Sequence, residues 1–79
     1  MRITFVKKIK LDGSFCKKCN EVQQKMDDAG QMEMIDEVLI ADERDPSSPG
    51  MELASLYNVA LAPVFLVEKV GVAPVIFTV

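Results

Sequence analysis

The sequence predicts an α/β fold: a single domain over residues 1–79 in the order strand, helix, strand, helix, strand, strand, with a mixed four-stranded sheet. Three observations carry this. Short runs rich in branched and aromatic residues ("RITFVKKI", "EVLIA", "VFLVE", "APVIFTV") are separated by polar or glycine-containing breaks. Between the first two runs, apolar residues recur at spacings of three and four, the stripe of an amphipathic helix. The last two runs are joined only by the short "KVG" turn, which suits an antiparallel hairpin, whereas a strand–helix–strand unit implies parallel neighbours.

Taken in order, residues 2–9 alternate roughly between apolar and polar and form the first strand, which "KLDGS" breaks. A helix is expected from about Cys16 to Ala29, with Cys19, Val22, Met26 and Ala29 on one face and Gly30 as its stop. Ser14 is positioned to cap it if it opens at Phe15 or Cys16. Residues 37–41 suit a buried strand, followed by the polar turn "DERDPSSPG". Ser48 and Pro49 then read as cap and first turn of a second helix, with Leu53, Leu56 and Tyr57 on one face. Pro63 stands immediately before the third strand, and Gly71 sits in the turn before the fourth.

Composition bounds the function. The chain is 49% hydrophobic, enough for a packed core, and with four Phe, one Tyr and no Trp that core rests on aliphatic residues. The apolar run at the N-terminus is interrupted by Lys7 and Lys8, too short for a signal-peptide core or a membrane span, so the expected location is cytoplasmic. Residues 2–25 carry seven cations against two acids, a balance of +5, and residues 26–79 carry two cations against ten acids, a balance of −8. The acidic whole, without aromatic interleaving or a recognition motif, argues against nucleic acid as a partner. The dispersed Met26, Met32, Met34 and Met51 read as core packing rather than soft-metal ligands.

The chemistry lies in "FCKKC". Cys16 and Cys19 are the only cysteines, and in a reducing compartment such a pair points to redox exchange or metal binding rather than a structural crosslink. At the start of a helix the two fall on neighbouring positions, their Cα atoms roughly 5–6 Å apart, within reach of a disulfide. Cys16, at the positive end of the helix dipole and beside Lys17 and Lys18, is expected to be the more acidic thiol and the nucleophile; Cys19, on the buried stripe, resolves the mixed disulfide. Two alternatives stand beside this. Two cysteines and no histidine complete no tetrahedral metal or cluster site in one chain, so metal binding requires two chains or added carboxylates. Ordinary packing of two small apolar residues is the other.

The context resembles the thioredoxin superfamily, whose Cys-x-x-Cys pair opens the first helix after the first strand, often behind an aromatic residue such as Phe15. "LYNVALAPVFLV" is similar to that family's segment leading to a cis-proline, with Tyr57, Val59 and Pro63 at matching positions. The resemblance spans about residues 2–79 and implies a small thiol–disulfide oxidoreductase acting on a protein or low-molecular-weight disulfide with a separate reductant, and no cofactor. It implies that Cys16 and Cys19 are catalytic, that Pro63 is cis and lies against them, and that Phe15, Ala62 and Pro63 contact substrate, the Ala62 backbone pairing with an extended chain. Lys17 and Lys18 occupy the dipeptide between the cysteines. Lys10 stands where thioredoxins carry a buried acid, leaving water, Lys10 or Asp12 to serve proton transfer at Cys19. A redox-inactive interaction module, or a dimer holding an iron–sulfur cluster through the pair, are the rival functions. The family also places a further helix over the face that the first helix covers. This chain ends at Val79 in an apolar run, so an uncovered sheet face and homo-oligomerisation through it are expected.

Overall fold

The computed structural model of the chain describes residues 1–58 and 63–78. The elements are β1 (Arg2–Ile9), α1 (Lys17–Asp28), a 3-10 turn (Gln31–Met34), β2 (Glu37–Asp42), α2 (Pro49–Leu56), β3 (Val64–Glu68) and β4 (Val75–Thr78). The expected order is present, with the short 3-10 turn as an addition. Gly30 stops α1 in the left-handed region at φ 69°, a conformation a β-carbon would strain. The chain then coils once more before entering β2.

The four strands form one mixed sheet in the order β2-β1-β3-β4. β1 and β2 are parallel, with Phe5 opposite Val38 and Ile9 opposite Asp42. β3 runs antiparallel to β1, pairing Val64 with Val6, and β4 runs antiparallel to β3, pairing Phe77 with Phe65. The strand connections account for this. α1 carries the chain back so that β2 starts at the same end as β1, whereas a turn through Gly71, at φ 77°, reverses β3 directly into β4.

Alternation along each strand divides the side chains between two faces. On one, Val6, Ala41 and Val64 are buried under α2, with Leu39, Met51, Leu53 and Ile76 packed around them. On the other, the Phe5 and Phe65 rings stack with centroids 4.8 Å apart, and Ile3, Phe65, Val67 and Phe77 face Val22 and Met26 of α1 across a groove of about 420 Å³. The helices therefore lie on opposite sides of the sheet. On the α2 side a groove of about 430 Å³ opens beside the Val6–Ala41–Val64 cluster between Leu39, Leu53, Tyr57 and Leu66, and on the α1 side Val38, Val75 and Phe77 remain 43%, 45% and 54% exposed.

Several local expectations change. Ser14 does not cap α1: its amide and hydroxyl both donate to Asp12 Oδ1, at 2.9 and 2.6 Å, closing a turn two residues before the helix mouth. Cys16 is the N-cap instead. Ser48 occupies the N-cap position of α2, but its hydroxyl accepts from the Asp42 amide at 3.0 Å and lies 2.8 Å from the Asp45 carbonyl, tying the β2–α2 connection rather than the helix amides. Leu56, expected on one face with Leu53 and Tyr57, is 79% exposed, whereas those two are partly buried. β4 begins at Val75, after Pro74, and Val79 lies outside the described residues.

Candidate active site

The site forms where β1 ends and α1 begins. Beyond Ile9 the chain folds over itself: the Lys10 amide donates to the Ser14 carbonyl and the Gly13 amide to the Lys10 carbonyl, both at 2.9 Å, with Gly13 at φ 84°. The tight turn returns Phe15 to bridge Ile9, and the Cys16 amide then donates to the Lys8 carbonyl at 3.1 Å. Cys16 is thus pinned to the end of β1 by its backbone, with an extended conformation (φ −64°, ψ 117°) that ends the loop and starts the helix. Arg44, paired with Asp42, lies against Gly13, so that a β-carbon there would meet its guanidinium at 3.0 Å.

The two cysteines are free thiols and interact directly. The Cys19 amide donates to Cys16 Sγ at 3.2 Å, so the sulfur serves as the acceptor a serine or aspartate hydroxyl or carboxylate provides at most N-caps. Cys16 is 8% exposed and Cys19 1%. Cys16 is less open than a sulfur projecting from a helix tip would be, because capping folds it back over the first turn.

Their protonation preferences diverge. Burial acts to raise the Cys16 pKa, but the Cys19 side chain, the Cys19 and Lys18 backbone amides and the Lys8 charge together outweigh it, and the net shift is downward. Cys19 is pushed up to about 11, first by burial and then by the hydrogen bond it gives Cys16 in the thiolate state; the Lys8 backbone and the Lys7 charge oppose this only in part. The pair therefore favours one anion, located on Cys16, with Cys19 as its protonated donor.

The remaining expected site residues fall around this centre. Phe15 is 60% exposed beside Cys16. Lys10, Lys17 and Lys18 are exposed at the helix mouth, and Lys18 acts on Cys16 through its backbone amide. Pro63 is almost fully buried directly before Val64, whose partner is Val6, so it enters β3 at the same end of the sheet as Lys8. Ala62, its peptide bond to Pro63, and Val59 lie outside the described residues. The residue that sequence reasoning missed is Lys8. Its carbonyl holds Cys16, its ammonium pairs with Glu43 at 3.1 Å, and its charge favours the Cys16 thiolate. Its position as the penultimate residue of the strand before the cysteine loop was the available signal.

Among the described residues no group of three or more Cys, Asp or Glu side chains gathers where a metal ion would be held. Nor, among them, is any helix long and apolar enough to cross a membrane. No protein-family model, no curated protein and no solved structure matches the chain.

Proposed function

We propose that the chain is a small thiol–disulfide oxidoreductase of thioredoxin-like architecture. The observation that carries the reading is the contact between Cys19 N–H and Cys16 Sγ, which joins two adjacent thiols of opposite protonation preference at a helix mouth. The strand order, the helices on opposite faces and the placement of Pro63 at the cysteine end of the sheet support the family resemblance.

In the proposed exchange, the Cys16 thiolate attacks one sulfur of a substrate disulfide and expels the other as a thiolate, leaving Cys16 in a mixed disulfide. Cys19 then gives its proton to solvent or to the departing thiolate and attacks the Cys16 sulfur. The second substrate thiolate leaves, and the Cys16–Cys19 disulfide holds the oxidation. Two electrons pass from the dithiol to the substrate, and a dithiol or thiol reductant of the surroundings returns them. The high pKa of Cys19 keeps the resolving thiol from competing as a second anion, and the Lys8 amide and Lys7 charge favour the thiolate as it forms.

Alkylation of Cys16 followed against pH, together with reduction of a model disulfide, tests the reading. The expected result is half-maximal alkylation below the ordinary thiol range with measurable turnover. A Cys16 pKa at or above that of a free thiol, with no disulfide reduction, overturns it.

A further inference from the structure

The charge around the thiols is unevenly distributed. From Lys7 to Cys19 the chain carries five lysines and one acid, Asp12, whereas the remainder carries four cations against eleven acids. Lys8 is neutralised by Glu43, and Lys7 is half-buried in the sheet. Lys10, Lys17 and Lys18 are exposed, and among the described residues none of them joins an ion pair. The turn that bonds Lys10 to Ser14 brings Lys10 beside the segment leading to Cys16, and Lys17 and Lys18 follow the cysteine directly. An approaching molecule therefore meets three exposed cations, Lys10 offset in part by Asp12, and the exposed Phe15 ring around the segment that carries Cys16, and a net negative body elsewhere.

We propose that Lys10, Lys17 and Lys18 form a basic rim that selects disulfides flanked by carboxylates and disfavours cationic ones. This deepens the exchange reading above and rests on it. The rim acts on the substrate rather than on the thiol: it raises the encounter rate of an anionic disulfide while the acidic remainder repels it from unproductive surfaces. At roughly 8 Å in water, one unscreened cation–anion pair changes an encounter about twofold, so three lysines acting together give about tenfold. Salt near physiological strength, with a screening length of about 8 Å, reduces this, and stronger salt removes most of it.

The test uses the fully reduced chain and three small symmetric disulfides: 3,3′-dithiodipropionate, a dianion; bis(2-hydroxyethyl) disulfide, neutral; and cystamine, a dication. Second-order rate constants are normalised to those of free dithiothreitol with the same compounds, which removes intrinsic leaving-group differences. At an ionic strength of about 0.02 M the expected normalised preference for the dianion over the dication is about tenfold or more, shrinking to within about twofold at 0.5 M, roughly, as the screening length falls to a few ångströms. The triple variant Lys10→Gln, Lys17→Gln, Lys18→Gln should lose most of the preference, and each single variant part of it. Reaction with all three compounds without charge preference at low salt, or an undiminished preference in the triple variant, overturns the rim and leaves the exchange reading standing. Failure to react even with the neutral compound overturns both. Peptide disulfides with acidic or basic flanks then identify the source: a larger preference among peptides than among the small compounds assigns the rim to acidic protein segments, and a larger one among the small compounds assigns it to low-molecular-weight acids.

Discussion

Cys16 has an observed role as N-cap and a proposed one as nucleophile, both at one sulfur, and they are separable by substitution. As N-cap it accepts the Cys19 amide, a contact that alanine cannot make and serine can. Cys16→Ala is expected to destabilise the reduced protein by about 1 kcal/mol, whereas Cys16→Ser should retain most stability and lose all exchange; urea denaturation of both variants decides this. Cys19 gives a pH signature. Its folded-state pKa, about 11, lies above the ordinary thiol value of 9.0, so the folded state holds this proton more tightly than the unfolded chain. The resulting stability is fully present below the unfolded pKa and is lost as pH rises from about 9 through about 11, amounting to about 3 kcal/mol for a shift of this size. Cys16 acts in the opposite sense: its lowered pKa contributes stability that is present above the unfolded value and lost as pH falls through the folded one. Denaturation of reduced wild type and Cys19→Ser across this range should show the alkaline loss in the former and a smaller loss in the latter. Parallel curves would contradict the assigned burial. None of this was legible in the residue order beyond the inequality of the two thiols. The spacing put Cys19 on an apolar stripe, but which backbone amides reach Cys16 depends on the loop that Asp12 and Ser14 close.

At the scale of elements, the tightest joint lies between α2 and β2. Gly50, in the first turn of α2, sits so close to β2 that a β-carbon would come within 2.4 Å of the Ala41 nitrogen and 2.5 Å of the Ile40 carbonyl carbon. Both obstacles are backbone, so relief requires the helix to move off the sheet and open the Val6–Ala41–Val64 cluster. Gly50→Ala should cost about 1–3 kcal/mol or more through overpacking. Gly30 offers a contrast: its surroundings are empty, but its φ of 69° is left-handed, so Gly30→Ala should cost about 1–2 kcal/mol from backbone strain alone. Thermal denaturation separates them if the Gly50 variant also binds a hydrophobic dye while the Gly30 variant does not. The sequence made Gly30 readable as a helix stop, because a stop needs only local geometry. Gly50 carried no such signal, since its constraint comes from a strand nine residues away.

For the whole molecule, the apolar surface left exposed matters most. The accessible surface of 5178 Å² exceeds the value of about 4,700 Å² typical of a monomer of 8.7 kDa. Exposed apolar residues are spread over the molecule, from Leu11 and Leu56 to Val70, and two of them, Phe77 and Val75, stand on β4, an edge of the described sheet with no charge in its four residues. Within its four residues this edge lacks the lysines and prolines that keep edges from pairing, with Pro74 standing just before it. The expected outcome is a concentration-dependent sedimentation coefficient that Val75→Lys abolishes with little loss of thermal stability, since Val75 is 45% exposed. A concentration-independent monomer in the wild type would count against association through this edge.

The sequence by itself determined the order of elements, the mixed sheet, the position of the cysteine pair at a strand-to-helix junction and the charge imbalance around it. These follow from periodicity, turn residues and spacing, all of which act within a few residues. The folded chain decided that Cys16 rather than Ser14 caps α1, that Lys8 is the strand lysine whose carbonyl holds the Cys16 amide and whose charge favours the thiolate, that Gly50 stands against the backbone of β2, and that a groove remains beside each helix. The cap turns on competing bonds within a few residues, Ser14 being taken by Asp12, and the others depend on separate segments brought within a few ångströms, where a hydrogen bond, a charge or a steric overlap changes the outcome.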